Sequence, residues 1–429
     1  MAQNPDTLLG IAARIGGYDA SALPMAQARE FLDRLVPRLT DVQVVSLHDT
    51  LGRVLAIDVV STLNVPPLDN SAMDGYALRG GELRAGASTV FQIVGTAFAG
   101  QLFAGEIPPG HCLRIMTGAV MPQGCDTVVP QEFVQVKGPE VTVPHDVVRT
   151  GDNRRLAGED LALGDVALAA GRVITPADLG LLASLGQAEV AVVRRLKVAF
   201  FSTGNELRSV GETLDTGCVY DSNRYTLWAM LTRLGVEVID LGVVADEPAA
   251  LTQTFLRAAG CADAIITSGG VSVGEADHTK QVMAQLGDVL FWTVGMRPGR
   301  PMAIGRIPNQ SGGAILFGLP GNPVAVMVTF YALVRDALLA MSGASAQALP
   351  MLQVAAAQAI RKKPGRTEYQ RGIVSVGADG RQTVRTTGAQ GSGILRSMSQ
   401  ANGLIVLHHD QGSVAAGDLV DVMPFYGLM

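Results

Sequence analysis

The chain has 429 residues, with 33 Lys plus Arg against 39 Asp plus Glu, a formal net charge of −6. Its length suggests roughly three domains, and 48 % apolar residues are enough to build packed cores, which excludes a disordered chain. The acidic balance excludes a basic nucleic-acid footprint as the default reading.

Met1–Asp19 lacks a basic stretch followed by an apolar run, so no signal peptide is read there. Residues 24–36 carry Met25, Ala28, Phe31, Leu32 and Leu35 at the helical period, which predicts a helix. From Val42 to about Val193, short Val/Ile/Leu runs alternate with Gly, Pro and Asp signals. That pattern predicts mostly β structure, a small barrel or sandwich set into an elongated module.

From Lys197 the rhythm changes. Val198–Ser202 reads as a buried strand ending in Thr203-Gly204-Asn205-Glu206. Asp221-Ser222 is placed to cap a helix that Gly235 ends. Strands are predicted at Val236–Ile239 with Val243–Val244, at Ala264–Thr267 and at Ala314–Phe317, and helices at 248–259, 277–286 and 324–339. Strand and helix thus alternate four times, which predicts a doubly wound α/β domain. The tail from about Pro350 is β again, with hairpin signals at Ala378-Asp379-Gly380 and Asp410-Gln411-Gly412. The charge-free stretch Ile307–Val334 contains Gly-Leu-Pro-Gly-Asn-Pro near its middle, so a strand, a tight loop and a core helix are expected there, not a membrane span. No CxxC pair, HxxxH or HExxH pattern occurs, so the four cysteines are expected as reduced thiols in a cytoplasmic protein, without a zinc or iron centre. Only 17 % of residues are charged, which suggests a surface partly covered by a second subunit.

Ligands of an open parallel sheet bind at the C-terminal strand ends. Here those ends carry Thr203–Glu206, Asp246-Glu247, Ser268–Asp277 and Gly318–Pro323. Glycines let backbone N–H groups face an anion, and the next helix adds its dipole. The carboxylates fit if a divalent cation bridges them to phosphate, or if they accept protons. Arg297 and Arg300 lie on a Pro/Gly-stiffened loop and suit an oxyanion. The run Arg361, Lys362, Lys363, Arg366, Arg371 has only Glu368 against it and could close over an anionic substrate. No P-loop, dinucleotide fingerprint or serine-hydrolase elbow with a convincing histidine is found.

Taken together, PPLDNSAMDGYA (66–77), LRIMTGA (113–119), GED (158–160), STGNEL (202–207), YDSNR (220–224), SGGVSVGEAD (268–277), PGRP (298–301) and GLPGNP (318–323) resemble the molybdopterin molybdenumtransferase family, which includes the E domain of gephyrin. The resemblance runs from about Met25 to Phe425. It implies a multidomain α/β and β chain: a helical segment over 1–41, an elongated connector over 42–62 and 145–194, a β-barrel-like insert over 63–144, a doubly wound α/β molybdopterin-binding domain over 195–347 and a C-terminal β domain over 348–429. It also implies insertion of molybdenum from molybdate into adenylylated molybdopterin, with release of AMP and a need for Mg2+.

Carried over position by position, the resemblance implies catalytic roles for Asp74, Thr117, Glu206, Asp246 and Asp277, the last three also as metal ligands. It implies substrate contacts at Asp160, Ser268, Gly269, Gly270, Ser272, Arg297, Arg300, Pro320, Pro323 and Ser392. Asp246 and Asp277 are expected to bind the cation or position water, because acids beside molybdate, a dianion, must be neutralised. A homodimer with a shared site is implied, with a molybdopterin adenylyltransferase and downstream cofactor-handling proteins as further partners, and no nucleic acid or membrane. Three departures stand out: Asn205 replaces an acid, arginines replace lysines at 297 and 300 with Thr293 at a further lysine position, and the basic run before GED is thinned to Arg154-Arg155-Leu156-Ala157. A non-catalytic scaffold on the same fold is the competing reading, and the retained acids argue against it.

Overall fold

In the computed structural model, which describes residues 7–271, 278–310, 312–346 and 349–426, the apolar run after Lys197 becomes the strand Lys197–Thr203. It lies inside a six-stranded sheet between Glu237–Val244 and Ala264–Ser268, with Ala314–Leu319 next, and these four strands are parallel. Pro301–Ile307 and Asp288–Thr293 extend that edge antiparallel. The register pairs Ser202 with Ser268 and Ser268 with Leu319, so three strand ends finish level and their loops share one edge.

Both faces of the sheet are covered. Phe200, Ile266 and Phe317 point towards Leu227 and Leu231 of the helix Ser222–Leu234 and Val328 of the helix Pro323–Met341. On the other face Phe201 packs edge-on against Phe255 of the helix Pro248–Cys261, with ring centroids 5.1 Å apart. Val282 and Met283 of the helix His278–Leu286 complete that layer. Asp221 caps its helix by accepting from the Arg224 N–H at 3.1 Å, and Gly235 ends it at φ 78°. The helix Pro323–Met341, which contains a π turn at Phe330–Val334, is long and apolar enough to cross a bilayer. It is a core helix of this protein, 78 % buried over its most apolar window. The helix Met25–Leu35 adds Phe31, Leu32 and Leu35 to the same core, with Phe31 edge-on to Trp292 at 5.1 Å.

Three short antiparallel pairs carry the chain out and back: Val42–Ser46 with Glu189–Val193, Val59–Val60 with Val166–Leu168, and Asn70–Ser71 with Arg154–Arg155. At their far end lies a second six-stranded sheet, in the order 127–130, 75–78, 111–115, 89–97, 140–143, 135–137. Alternation buries both of its faces: Ala77, Leu113 and Ile115 on one side, and Tyr76, Leu78 and Cys112 on the other.

The C-terminal strands close on themselves. Thr367–Val376 pairs with Gln382–Thr386 and Gly403–Leu407, while Leu352–Ala356 pairs with Gln382–Thr386 and Leu419–Pro424. The last link, between Gly403–Leu407 and Leu419–Pro424, completes a five-stranded barrel. Val354, Val384, Ile405 and Val422 fill it. The pair Met296–Arg297 joins this barrel from the α/β domain, parallel to Thr367–Glu368, and so brings the arginine loop against the C-terminal domain.

Candidate active site

At the level edge of the α/β sheet, the loops that carry Glu206, Asp246 and Ser268–Gly270 leave neighbouring parallel strands. The Asp246 N–H donates to Asn205 Oδ1 at 3.1 Å. Asn205 therefore ties two strand ends together without adding another carboxylate. Thr279 Oγ1 donates to Asp246 Oδ1 at 3.3 Å. Glu206 turns its carboxylate back over Gly204, where a Cβ would lie 2.6 Å from Glu206 Oε2. Gly269 has φ 97°, and a Cβ there would lie 2.5 Å from the Thr203 carbonyl oxygen, so no other residue fits without moving the strand. Its N–H donates to the Leu319 carbonyl at 3.1 Å. Asn223, within the Tyr220–Arg224 motif, donates from Nδ2 to Ser268 Oγ and to the Gly321 carbonyl, each at 2.7 Å. That one side chain joins the serine–glycine loop to the Gly318–Pro323 loop. Below this edge Ser202 Oγ, Thr203 Oγ1, Thr267 Oγ1 and Asn223 Oδ1 are buried and find no hydrogen-bond partner among the described residues. Orphaned polar atoms so concentrated mark a place prepared for a polar ligand or water. Ser272 and Asp277 lie outside the described residues.

The Gly318–Pro323 loop leads on to a cleft of about 460 Å³, lined by Arg297, Arg300, Pro320, Arg366 and Ser392 among others. Pro323 opens its helix, and the Val324 N–H donates to the Ser392 carbonyl at 3.0 Å, so the C-terminal domain is fastened at this point. Next to this cleft, sharing Arg297, lies a second one of about 240 Å³ that contains Arg371. Arg371 is 1 % exposed. Its Nε donates to Ser397 Oγ and its Nη2 to the Gly391 carbonyl, both at 2.9 Å. Among the described residues no carboxylate forms an ion pair with it. Burial, assisted by the positive charge of Arg297, pushes its pKa down to about 10, so it remains a cation at neutral pH. A buried cation without a counter-ion is costly unless an anion joins it.

The insert supplies a third group. Asp74 Oδ1 accepts from both Thr117 Oγ1 and the Thr117 N–H, each at 2.7 Å. The Thr117 hydroxyl first, then its N–H and the charge of Arg114, hold the Asp74 carboxyl below the ordinary aspartate value. Asp160 is exposed on the neighbouring turn, with its N–H on the Val65 carbonyl at 3.1 Å. Among the described residues no hydrogen bond or ion pair links Asp74, Thr117 or Asp160 to the α/β edge of the same chain. The structure therefore assembles two groups joined by the Gly318–Pro323 loop, and sets the insert group apart.

Sequence reasoning did not single out Asn223, and it named Arg371 only as one member of the basic run 361–371 that could close over an anionic substrate. The sequence placed the one acid of that run, Glu368, three residues before Arg371, and the structure adds that both lie on the buried part of the strand Thr367–Val376.

The family models match the chain in three consecutive blocks: "MoeA N-terminal region (domain I and II)" over residues 23–186, "Probable molybdopterin binding domain" over 199–340 and "MoeA C-terminal region (domain IV)" over 353–425. Fold and site therefore define a multidomain protein built around a molybdopterin-binding type of α/β domain. The chain is 41 % identical over 408 residues to the molybdopterin molybdenumtransferase of Haemophilus influenzae, covering 95 % of this chain and 100 % of that one. It is 36 % identical over 416 residues to that of a Nostoc species, covering 93 % and 94 %. A Dictyostelium discoideum gephyrin is 30 % identical, over 89 % of this chain and 59 % of its own. The molybdopterin biosynthesis moeA protein of Pyrococcus horikoshii superposes with a TM-score of 0.80 at 26 % identity, covering 94 % of this chain and 100 % of that one. The chain belongs to the molybdopterin molybdenumtransferase family, a family of transferases in molybdenum cofactor biosynthesis.

Proposed function

We propose that this chain inserts molybdenum from molybdate into adenylylated molybdopterin, releasing AMP and leaving Mo-molybdopterin. The observation that carries this reading is Arg371: a buried guanidinium that pairs with no carboxylate among the described residues, in a cleft that shares Arg297 with the neighbouring cleft lined by Arg300 and the Gly318–Pro323 loop. Arg297, Arg300 and Arg371 receive the molybdate dianion as guanidinium groups receive tetrahedral oxyanions. The Ser268–Gly270 and Gly318–Pro323 loops hold the pterin phosphate with those backbone N–H groups that are not already bonded within the loops, which leaves out Gly269.

Magnesium fits the donors present. Glu206 and Asp246 are the carboxylates in place, Mg2+ is commonly bound by one or two carboxylates together with substrate phosphates, and no set of three metal-ligating side chains converges among the described residues. Glu206 and Asp246 would hold it, with Asp277 as the third candidate, and it would polarise the phosphorus. In the hydrolytic form of the reaction, water adds to phosphorus, the P–O–P bond to AMP breaks, and the proton of the water leaves with the AMP phosphate. An isotope label from water found only on the molybdenum side would rule that form out.

We read the active unit as a homodimer in which Asp74, Thr117 and Asp160 of one copy complete the α/β edge of the other, because one chain leaves the two groups unconnected. Tyr225 and Trp228, three residues apart on their helix and 48 % and 51 % exposed, suit such an interface. A cytoplasmic location, with a molybdopterin adenylyltransferase and downstream cofactor-handling proteins as partners, follows from the same reading. The test uses purified protein, adenylylated molybdopterin, Mg2+ and molybdate, and follows AMP release and molybdenum retained. Molybdate-dependent AMP release that is lost in Arg371→Gln and Asp246→Asn supports the reading. Tight pterin binding without AMP release would replace it with a carrier. Mixing Asp74→Asn with Asp246→Asn tests the shared site: re-formed mixed dimers recover about a quarter of wild-type activity, since half the dimers then hold one intact site of two.

A further inference from the structure

Glu368 is the single acid among the basic residues 361–371, and it is 3 % exposed. Its Oε1 accepts from Arg366 Nε at 2.9 Å and pairs with Arg366 Nη2 at 2.8 Å. The same oxygen lies 3.9 Å from Arg297 Nη1, across the strand pairing that sets Arg297 opposite Glu368. Oε2 accepts from Gln370 Nε2 at 3.2 Å, and that amide also donates to the Arg361 carbonyl at 3.1 Å. The carboxylate is thus held on both oxygens by side chains that line the two clefts. Among the described residues, the one buried acid of the cleft is committed to Arg366 and Arg297, while Arg371, three residues along the same strand, is left without one.

We propose that Glu368 is a resident counter-ion of the oxyanion cleft. It competes with the incoming dianion for Arg366 and Arg297, and so holds affinity at a level from which the oxyanion can be passed to the pterin. This inference rests on the reading of the cleft as the molybdate site. It assigns Glu368 a positioning role, acting through the two arginines and not by touching the oxyanion.

The test is calorimetric titration of the intact protein with sodium molybdate, for wild type, Glu368→Gln and Glu368→Asp, each with its thermal unfolding recorded. Glu368→Gln is expected to bind molybdate roughly fivefold tighter, the size of effect of one charge removed beside a partly solvated anion. Its affinity is expected to fall more steeply with added salt. Glu368→Asp draws the carboxylate back by one methylene from the Arg366 fork, is the milder change for folding, and gives a smaller gain in the same direction. A purely structural role predicts the opposite sign, because a disturbed cleft binds less. Unchanged or weaker binding in whichever folded variant is measured, beside a wild type that binds, overturns the counter-ion role alone. A wild type that does not bind molybdate overturns the reading of the cleft, and this inference with it.

Discussion

Asn223 Nδ2 lies 2.7 Å from Ser268 Oγ and 2.7 Å from the Gly321 carbonyl. The two partners belong to different loops that leave different strands, so the spacing between loops depends on one amide in the first turn of the helix Ser222–Leu234. Asn223→Asp keeps the shape and removes both donors, setting a carboxylate against a carbonyl. An unsatisfied buried polar group costs about 1–3 kcal/mol, so pterin affinity is expected to fall by roughly fivefold to 150-fold. Molybdate affinity should move much less, because Arg371 and Arg300 do not contact Asn223. Fluorescence titration with the pterin and calorimetry with molybdate separate the two. Equal losses in both would mean that Asn223 supports the whole fold and not the loop spacing.

The Asp74–Thr117 pair makes a prediction about pH. Hydrogen bonds to the ionised carboxylate hold the Asp74 pKa below its ordinary value, so Asp74 stays charged into more acidic solution than a free aspartate. Thr117→Val removes the hydroxyl donor and keeps the N–H. The Asp74 pKa then rises towards the ordinary value, and the acid limb of the activity profile moves to higher pH. The Asp74–Thr117 pair lies at the surface of the insert and Asp74 is only half-buried, so thermal stability should stay nearly constant. An acid limb that does not move in Thr117→Val would remove Asp74 from the ionisations that matter for turnover.

Much of the α/β domain was legible from residues alone. Asp221 and Gly235 announced the two ends of one helix, and Gly318–Pro323 announced the break between a strand and a core helix. The antiparallel edge was not: Pro301–Ile307 follows a loop of proline, glycine and arginine, and nothing local says that it turns back beside Asp288–Thr293. The C-terminal barrel was legible as β structure but not as closed, because closure needs Thr367–Val376 to find Gly403–Leu407 across a long stretch of chain. The same distance hid Arg371. Its burial is set by barrel closure and by the seating of residues 390–392 against the Pro323 helix, so the sequence showed a basic run that could close over an anion but not which of its cations is buried. Glu206, Asp246 and Ser268 were legible because strand ends of a parallel sheet gather loops by topology.

The thiols divide by environment. Burial pushes Cys112 up to about 12 and Cys125 up to about 11, whereas Cys261 is exposed and Cys218 half-buried. A thiol reacts as its thiolate. In native protein at pH 8 a thiol reagent should therefore label Cys261 quickly, Cys218 more slowly, and Cys112 and Cys125 only on unfolding. Rapid labelling of Cys112 in the native protein would show that the insert opens far more often than its doubly buried sheet implies.

Asp263 supplies the last prediction, one of stability. It precedes the central strand Ala264–Ser268 and accepts from Arg194 Nη1 and Nη2 at 2.7 and 2.8 Å and from the Lys197 N–H at 2.8 Å. Burial works to raise its pKa, but the Arg194 hydrogen bonds, the Lys197 N–H and the two nearby positive charges outweigh it, and the net shift is downward. A carboxyl with a lowered folded-state pKa contributes stability that is complete above its unfolded value and is lost as pH falls through the folded one. Asp263→Asn is therefore expected to cost about 2 kcal/mol at pH 7, the usual size for charge-assisted hydrogen bonds at a partly buried site. The gap from wild type should begin to close below about pH 4, where the unfolded aspartate takes up its proton. Chemical denaturation of both proteins at pH 7 and at stepped acidic values measures this directly. A gap that stays constant down to the acid limit would show that the strand is held by the neutral contacts of Asp263 alone, with its charge contributing nothing.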